Sequence, residues 1–568
     1  MISLATTTTT DLKLDAIWVD YLMIGVYFAF VLGIGLAARR AISSSLDFFL
    51  SGRSLPAWVT GLAFISANLG AVEIMGMSAN GAQFGIPTVH YFWIGAVPAM
   101  LFLGVVMMPF YYGSKVRSVP EFMRRRFGTG AHLVNALSFA VAQVLIAGIN
   151  LYLLARIIEV LLGWKLLLAL VVAAAVVLTY TALGGLSAAI YNEVLQFFVI
   201  VAALLPLTIV GLKSVGGWSG LQDKITESGG AEQLSSWPGT ELTGIANPAL
   251  SVIGLIFGLG FVLSFGYWTT NFVEVQRAMA SSSMSAAQRS PIIGAYPKMF
   301  VPFIVIVPGM IAAVAVAEVA KAKTSGSTTF DYNNSMLYLM RDLLPNGMLG
   351  LAMTGLIASF MAGMAANISA FNTVFSYDLW QTYVVKDRPD SYYLGLGRIA
   401  TVGATVIAIG TALIASQYTN LMNYLQTLFG FFNAPLFATF ILGMFWKRMT
   451  ATAGWMGLVS GTVGAVLVAI LSEDSLGSLS TGTLPLRGQG ASFVAAGVAF
   501  ALDIAVSVSV SLVTKPRVYS ELKGLVYSLT PKKDFHDEHE DELAWYQRPN
   551  LLAGIALVMV IGLNVAFW

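Results

Sequence analysis

The chain contains no cysteine and only four histidines among its 568 residues. Disulfides, thiol catalysis and cysteine metal sites are therefore excluded together. Charge is scarce as well: Asp, Glu, Lys and Arg make up 11% of the residues, against about 25% in an ordinary soluble domain. With 57% of its residues hydrophobic, a soluble fold of this size could not cover its own surface. The chain reads as a polytopic membrane protein. Its net charge of +2 carries no information about partners, because membrane proteins distribute charge by side, and no nucleic-acid partner is expected. His536 and His539 lie in the acidic run DFHDEHEDE, which reads as a solvated loop rather than a metal site. No Ser/His/Asp set, HExxH or paired-aspartate motif falls inside the apolar segments, so the chain is not read as an enzyme. The Thr-rich residues 1–15 lack the basic start of a cleaved signal peptide, and the first apolar segment is expected to stay.

Long apolar segments are abundant. A span needs about 20 mostly apolar residues, and fourteen are read at 16–38, 56–84, 86–112, 131–162, 164–182, 188–212, 250–279, 291–320, 345–380, 392–415, 419–446, 450–471, 490–514 and 549–568. Lys and Arg collect in cytoplasmic loops. With the N-terminus outside, 20 of the 31 basic residues fall on the cytoplasmic side, including Lys115 and the run Arg124, Arg125, Arg126. Both termini are therefore expected outside, with the long loop 213–249 external. No segment is long enough for a separate soluble domain.

Two spans carry residues that weaken a helix. The stretch SANLGAVEIMGMSANG, Ser66 to Gly81, holds three glycines, two asparagines and Glu73 at bilayer depth. Five spans later, Gly258, Gly260 and Gly266 precede Thr269, Thr270, Asn271 and Glu274. Irregular backbone at membrane depth is tolerated where it lines a protein-enclosed cavity. Secondary transporters place such interruptions at equivalent points of two inverted repeats, around the solute and ion sites. Glycines alone would indicate close helix packing; intramembrane carboxylates and amides beside them point to function. Lys298, deep in the eighth span, is assigned to the permeation path or its gate. Glu193 and Asp378 lie near span ends, where a loop salt bridge is an equal reading. Arg156 and Glu159, three apart on one helix, are expected to pair.

In order along the chain, DFFLSGRSLPAW, ANLGAVEIMGMSANG, SKVRSVPEFMRRRFG, YTALGGLSAAIYNEVLQ, YWTTNFVEVQRAMA, KMFVPFIVIVPGM and FATFILGMFWKRMTATAGWMGLVSG resemble the solute:sodium symporter family, which includes the sodium–glucose and sodium–galactose cotransporters. The resemblance covers roughly residues 45–460. It implies an all-α polytopic membrane protein of about 14 transmembrane helices, with a LeuT-like 5+5 inverted-repeat core and peripheral helices. The expected layout is an external tail (1–15), a peripheral helix and cytoplasmic loop (16–55) and a first repeat (56–212). An external loop (213–249), a second repeat (250–446) and three peripheral helices with a cytoplasmic loop at 515–548 (447–568) complete it.

Carried over residue by residue, the resemblance implies a solute site at Asn68, Asn271, Lys298 and Gln426. Two positions depart from the sugar branch: Glu73 stands where a glutamine or histidine is usual, and Phe92 replaces a sugar-binding glutamate. A related pocket with a different solute is expected, since a site that hydrogen-bonds hydroxyls loses heavily when a partner is missing. The implied sodium site uses carbonyls of Ser66, Leu69 and Ser359. Its hydroxyl pair maps to Ala362 and Gly363, which have no side-chain oxygen. A hard cation needs oxygen ligands, and Ser66, Ser359 or Asn367 could replace them. Glu193 and Glu274 are candidate gating or coupling residues. The expectation is an ion-coupled importer of a small polar organic solute, a sugar among the candidates, in the plasma membrane. It needs no cofactor, sodium is the expected coupling ion, and its partners are the solute, the ion and the bilayer. Proton coupling through Glu73 or Glu193, uniport, and a membrane solute sensor stay open as alternatives, and no pattern speaks to oligomeric state.

Overall fold

The computed structural model describes residues 12–568 except 40–48, 50, 117, 229, 238–241, 246, 328–329, 419, 474, 477–478 and 532–542, and omits the side chains of 38–39, 180 and 182–185. The acidic run at 536–542 lies outside the described residues. Among the described residues, twelve helices are long and apolar enough to cross a bilayer, or thirteen when a bent pair counts as one span. The expected fifth span, 164–182, corresponds to a shorter apolar stretch, Leu166–Thr179.

In chain order the spanning helices are α1 (Trp18–Arg39), the bent pair α2 (Ala57–Asn68) and α3 (Val72–Phe84), α4 (Ile86–Gly113), α5 (Thr129–Leu162) and α6 (Leu166–Val215). They continue with α7 (Pro248–Thr270), the short α8 (Phe272–Met279), α9 (Met284–Ala315), α10 (Met348–Val384) and α11 (Asp390–Ala415). The last four are α12 (Leu421–Phe445), α13 (Ala451–Leu471), α14 (Gly488–Val513) and α15 (Pro549–Ala566). At about 1.5 Å per residue, the 50 residues of α6 would be roughly 75 Å long if straight. That is more than twice a bilayer core. The run accordingly holds two apolar parts, Leu166–Thr179 and Leu186–Val215.

Helix packing separates an inner group from a periphery. α10 is almost wholly enclosed, whereas only 22% of the apolar windows of α1 and α15 is buried, as lipid-facing helices require. α6 packs on α10, α5 packs on both α10 and α11, and α9 packs on both halves of the bent pair. α13 and α14 pack on each other and lean on α12. Arg126, fully buried, donates to the carbonyls of Gly443 (2.8 Å), Met449 (3.1 Å) and Trp446 (3.2 Å). It thereby satisfies groups that the C-terminus of α12 leaves open.

The bent pair is held at both ends. Leu55, just before α2, exchanges backbone hydrogen bonds with Ala280 and Ser282, just after α8. Thr60 and Ser281 hydroxyls meet at 2.9 Å. At the other end α3 lies backbone to backbone on α9. A Cβ on Gly309 would stand 2.0 Å from the Ser78 carbonyl oxygen, and one on Gly81 would stand 2.4 Å from that of Ile306. Without a hydrophobic drive between helices in lipid, small residues that admit close backbone approach supply the packing. Gly309→Ala should therefore force these helices apart at a cost of about 1–3 kcal/mol, lowering the melting temperature of the solubilised protein. Gly25→Ala on α1, where no atom lies within 4 Å, should leave it unchanged.

Candidate functional site

The break between α2 and α3 follows from its residues. Asn68 and Gly70 are poor helix formers, and Leu69 leaves helical geometry with ψ of 46°. The two helices meet at 60°. Backbone groups freed here need protein partners. The Ser359 hydroxyl on α10 donates to the Leu69 carbonyl at 2.5 Å, and the Ala71 N–H donates to Asn150 Oδ1 on α5 at 2.9 Å. The second break is a single residue. Asn271 is extended (ψ 117°), and its side-chain oxygen caps α8 by accepting from the Val273 N–H at 3.0 Å. The Tyr111 hydroxyl donates to the Thr269 carbonyl beside it at 2.9 Å.

Between the breaks lies a polar chain. The Lys298 ammonium from α9 donates to Asn68 Oδ1 and to Glu73 Oε1, the latter at 2.5 Å. It stands 4.8 Å from the centroid of Phe92 and 5.2 Å from that of Trp268, a cation–π arrangement. Asn68 Nδ2 donates to the Tyr267 hydroxyl at 3.1 Å, and that hydroxyl donates to Glu274 Oε1 at 2.7 Å. Neither Lys298 nor Glu73 is an isolated charge. Each is the other's counter-ion, which a membrane interior demands.

Asn68, Glu73, Lys298 and Gln426 line one cavity, together with Asn150, Asn367 and the aromatic residues Tyr91, Tyr267, Trp268 and Phe429. Gln426 has an amide oxygen with no partner among the described residues. Asn271 is not among the residues lining this cavity, and its side-chain oxygen holds the cap of α8. Glu193 and Arg277 form a buried two-bond pair at 2.6 and 3.2 Å, and Glu274 is bonded to Tyr267. His132 bonds Asp378 at 3.0 Å and Tyr383 at 2.7 Å, while Arg156 and Glu159 pair at 2.5 Å.

The positions proposed for sodium cluster at the first break. Ser66 is buried, and its hydroxyl has no partner among the described residues. The Asn367 amide donates to the Gly363 carbonyl at 2.7 Å, leaving its oxygen end for the cavity. Ala362 is fully buried and supplies no side-chain oxygen. A Cβ on Gly363 would stand 2.6 Å from Asn150 Oδ1, and one on Gly70 would stand 2.8 Å from the same atom. The Asn150 oxygen thus packs where two glycines meet, Gly70 in the break and Gly363 on α10. Sequence reasoning missed both Asn150 and Tyr267. An asparagine within the apolar fourth span was the available signal for the first; nothing local distinguished the second.

With this geometry in view, comparison with known proteins is decisive. The model of the sodium:solute symporter family matches residues 48–461, well over half of the chain. The chain belongs to the sodium:solute symporter family. Among curated relatives, the sodium/glucose cotransporter of Vibrio parahaemolyticus is 27% identical over 80% of this chain and 86% of its own. Sodium/glucose cotransporter 4 of Danio rerio is 29% identical over 92% and 83%. Sodium/myo-inositol cotransporter 2 of Oryctolagus cuniculus is 29% identical over 80% and 70%. Among solved structures, a substrate-bound, outward-open Na+-coupled sialic acid symporter superposes with a TM-score of 0.73 at 17% identity, covering 88% of this chain and 98% of that one. A nucleobase-cation-symport-1 family transporter reaches 0.52 at 14% identity over 84% and 97%. The fold is that of the LeuT-like transporters, and the protein is a multi-pass, ion-coupled secondary transporter of a small solute.

The glycine–asparagine contact makes a testable pair. Gly363→Ser should lower transport and thermal stability, because its Cβ would overlap the Asn150 oxygen. Gly363→Ser combined with Asn150→Ala should be less destabilised than the sum of the two single variants, because removing the Asn150 amide relieves the overlap. Equal stability of the Gly363→Ser single variant and the parent would contradict the contact.

Proposed function

We propose that this transporter imports an uncharged, hydroxyl-rich solute of the sugar or cyclic-polyol class together with sodium, by alternating access around the cavity between the two breaks. The observation that carries the solute class is the Lys298–Glu73 pair. A lone Glu73 would suit a cationic solute, but Lys298 neutralises it at 2.5 Å. The cavity wall then offers polar groups with no net charge to match. Amide groups of Asn68, Asn367 and Gln426 suit hydroxyls, while Tyr267, Trp268 and Phe429 offer flat apolar faces. An apolar lining with a few placed polar groups is how small-molecule sites set orientation. Three of the relatives are named for glucose or myo-inositol, which supports the same class.

Sodium is supported by the family and by the oxygens gathered at the first break. The carbonyls of Ser66, Leu69 and Ser359 survive any side-chain change, and a carbonyl has a second lone pair when one is bonded. Asn150 Oδ1, at the same break, supplies an oxygen where the family's hydroxyl pair is missing. The expected inverted repeats, 56–212 and 250–446, place the two breaks in equivalent positions. The basic loops put both termini outside a plasma membrane.

Uptake of labelled D-glucose and myo-inositol into proteoliposomes should rise with external sodium at fixed pH. Uptake indifferent to sodium would overturn the ion assignment, and no uptake of any neutral polyol would overturn the solute class. Glu73→Gln leaves Lys298 uncompensated. It should weaken neutral-solute affinity by ~10-fold or more, equivalent to about 1.4 kcal/mol, and admit competition by sugar acids. Unchanged affinity and selectivity would argue against the neutral-pair reading.

A further inference from the structure

The buried charges around the two breaks do not balance. Lys298 is paired with Glu73, and Arg277 with Glu193. Glu274 is a third carboxylate, fully buried on α8, and it has no cationic partner among the described residues. Its Oε1 accepts the Tyr267 hydroxyl, while its Oε2 has no hydrogen-bond partner among them. An ionised carboxylate half-bonded in an apolar interior is far costlier than one that takes up a proton. Glu274 does not line the cavity, and a metal ion there would need a coordination shell of several oxygens. A proton needs none.

The groups facing Glu274 are consistent with a neutral acid. Tyr267 meets it from α7, Arg277 lies one turn along its own helix, Glu193 approaches from α6 and Lys298 from α9. α2 packs on α8 without contributing any ionisable residue. The part of α4 against α8 brings Tyr111 and Tyr112, whose hydroxyls bond the backbone at Thr269 and Ser281. Both cations in this set are already held by another carboxylate.

We propose that Glu274 is a proton-binding site and that a proton accompanies the solute, in addition to sodium. The proton forms an O–H bond at Oε2 when α7 and α8 are enclosed, and it leaves Oε2 for water when the rocking helices open that layer to the other side. The chain of hydrogen bonds from Glu274 through Tyr267 and Asn68 to Lys298 and Glu73 reaches the cavity wall. Loading of Glu274 is thereby registered where the solute sits.

The test uses the full chain in proteoliposomes. Infrared difference spectra across pH should show the carbonyl stretch of a protonated carboxylic acid that is absent in Glu274→Gln. Tyr267→Phe, which strips the hydroxyl from Oε1, should move that band, and it serves if Glu274→Gln does not assemble. With equal sodium on both sides and a pH dye in the lumen, inward gradients of D-glucose and myo-inositol should acidify the lumen, and Glu274→Gln should lose the acidification per solute taken up. A missing or unmoved band, or solute entry without acidification, overturns the proposal. Sodium dependence at fixed pH is read in the same vesicles, so failure of the sodium assignment and failure of the proton site are distinguished.

Discussion

A chain that stops being helical inside a bilayer leaves N–H and C=O groups that only protein can satisfy, and the centre of this molecule is organised by that constraint. At the first break the partners come from two other helices, Ser359 on α10 and Asn150 on α5. At the second they come from the chain itself, through the Asn271 cap, and from Tyr111 on α4. The breaks therefore could not exist without the surrounding helices in register. α10 is the most enclosed of the described spans, and it passes beside the first break with the Ser359 hydroxyl at the height of the Leu69 carbonyl.

The ion pair at the cavity is a second consequence. Opening the helix at Asn68 exposes an amide to the interior, and Lys298 reaches that amide and Glu73 together. By the family resemblance, a glutamate stands on the third span where this chain has Phe92. Here Phe92 offers its ring face to Lys298 at 4.8 Å, and the carboxylate is supplied by Glu73 instead. The carboxylate that faces Lys298 in this chain therefore comes from the broken helix. The cavity wall carries this carboxylate and its counter-ion together, so the pair adds no net charge there.

Much of this was legible in the residues. Both breaks, the membrane class and the family motifs followed from glycine, amide and charge placement, because a bilayer penalises those residues enough to make each a signal. Lys298 was legible as deep, and Arg156 with Glu159 as a pair. What was not legible depended on which helices are neighbours. The partner of Glu73 was not legible because it lies 225 positions away. The cap that Asn271 makes on α8 depends on the backbone turning there. Asn150 and Tyr267 matter only through what faces them, and the span count differs by one because the apolar stretch Leu166–Thr179 at the start of α6 is shorter than a full span.

The absence of the hydroxyl pair at Ala362 and Gly363 is best understood as one side of an exchange. Gly363 has no side chain, and the space its Cβ would take is bounded by the Asn150 oxygen and by Gly70, which meets the same atom. By the resemblance two hydroxyls are missing from α10, while one amide oxygen is presented from α5. The carbonyl oxygens at the break are indifferent to the change, since they belong to the backbone. What changes is connectivity: in the family's arrangement side-chain oxygens from α10 meet the break, whereas here α5 is joined to it through the Ala71 N–H. An ion drawing on Asn150 Oδ1 would compete with that N–H for the oxygen's lone pairs. Ion binding would then act directly on the hydrogen bond that fixes the start of α3, and so on the angle between the two halves of the broken helix.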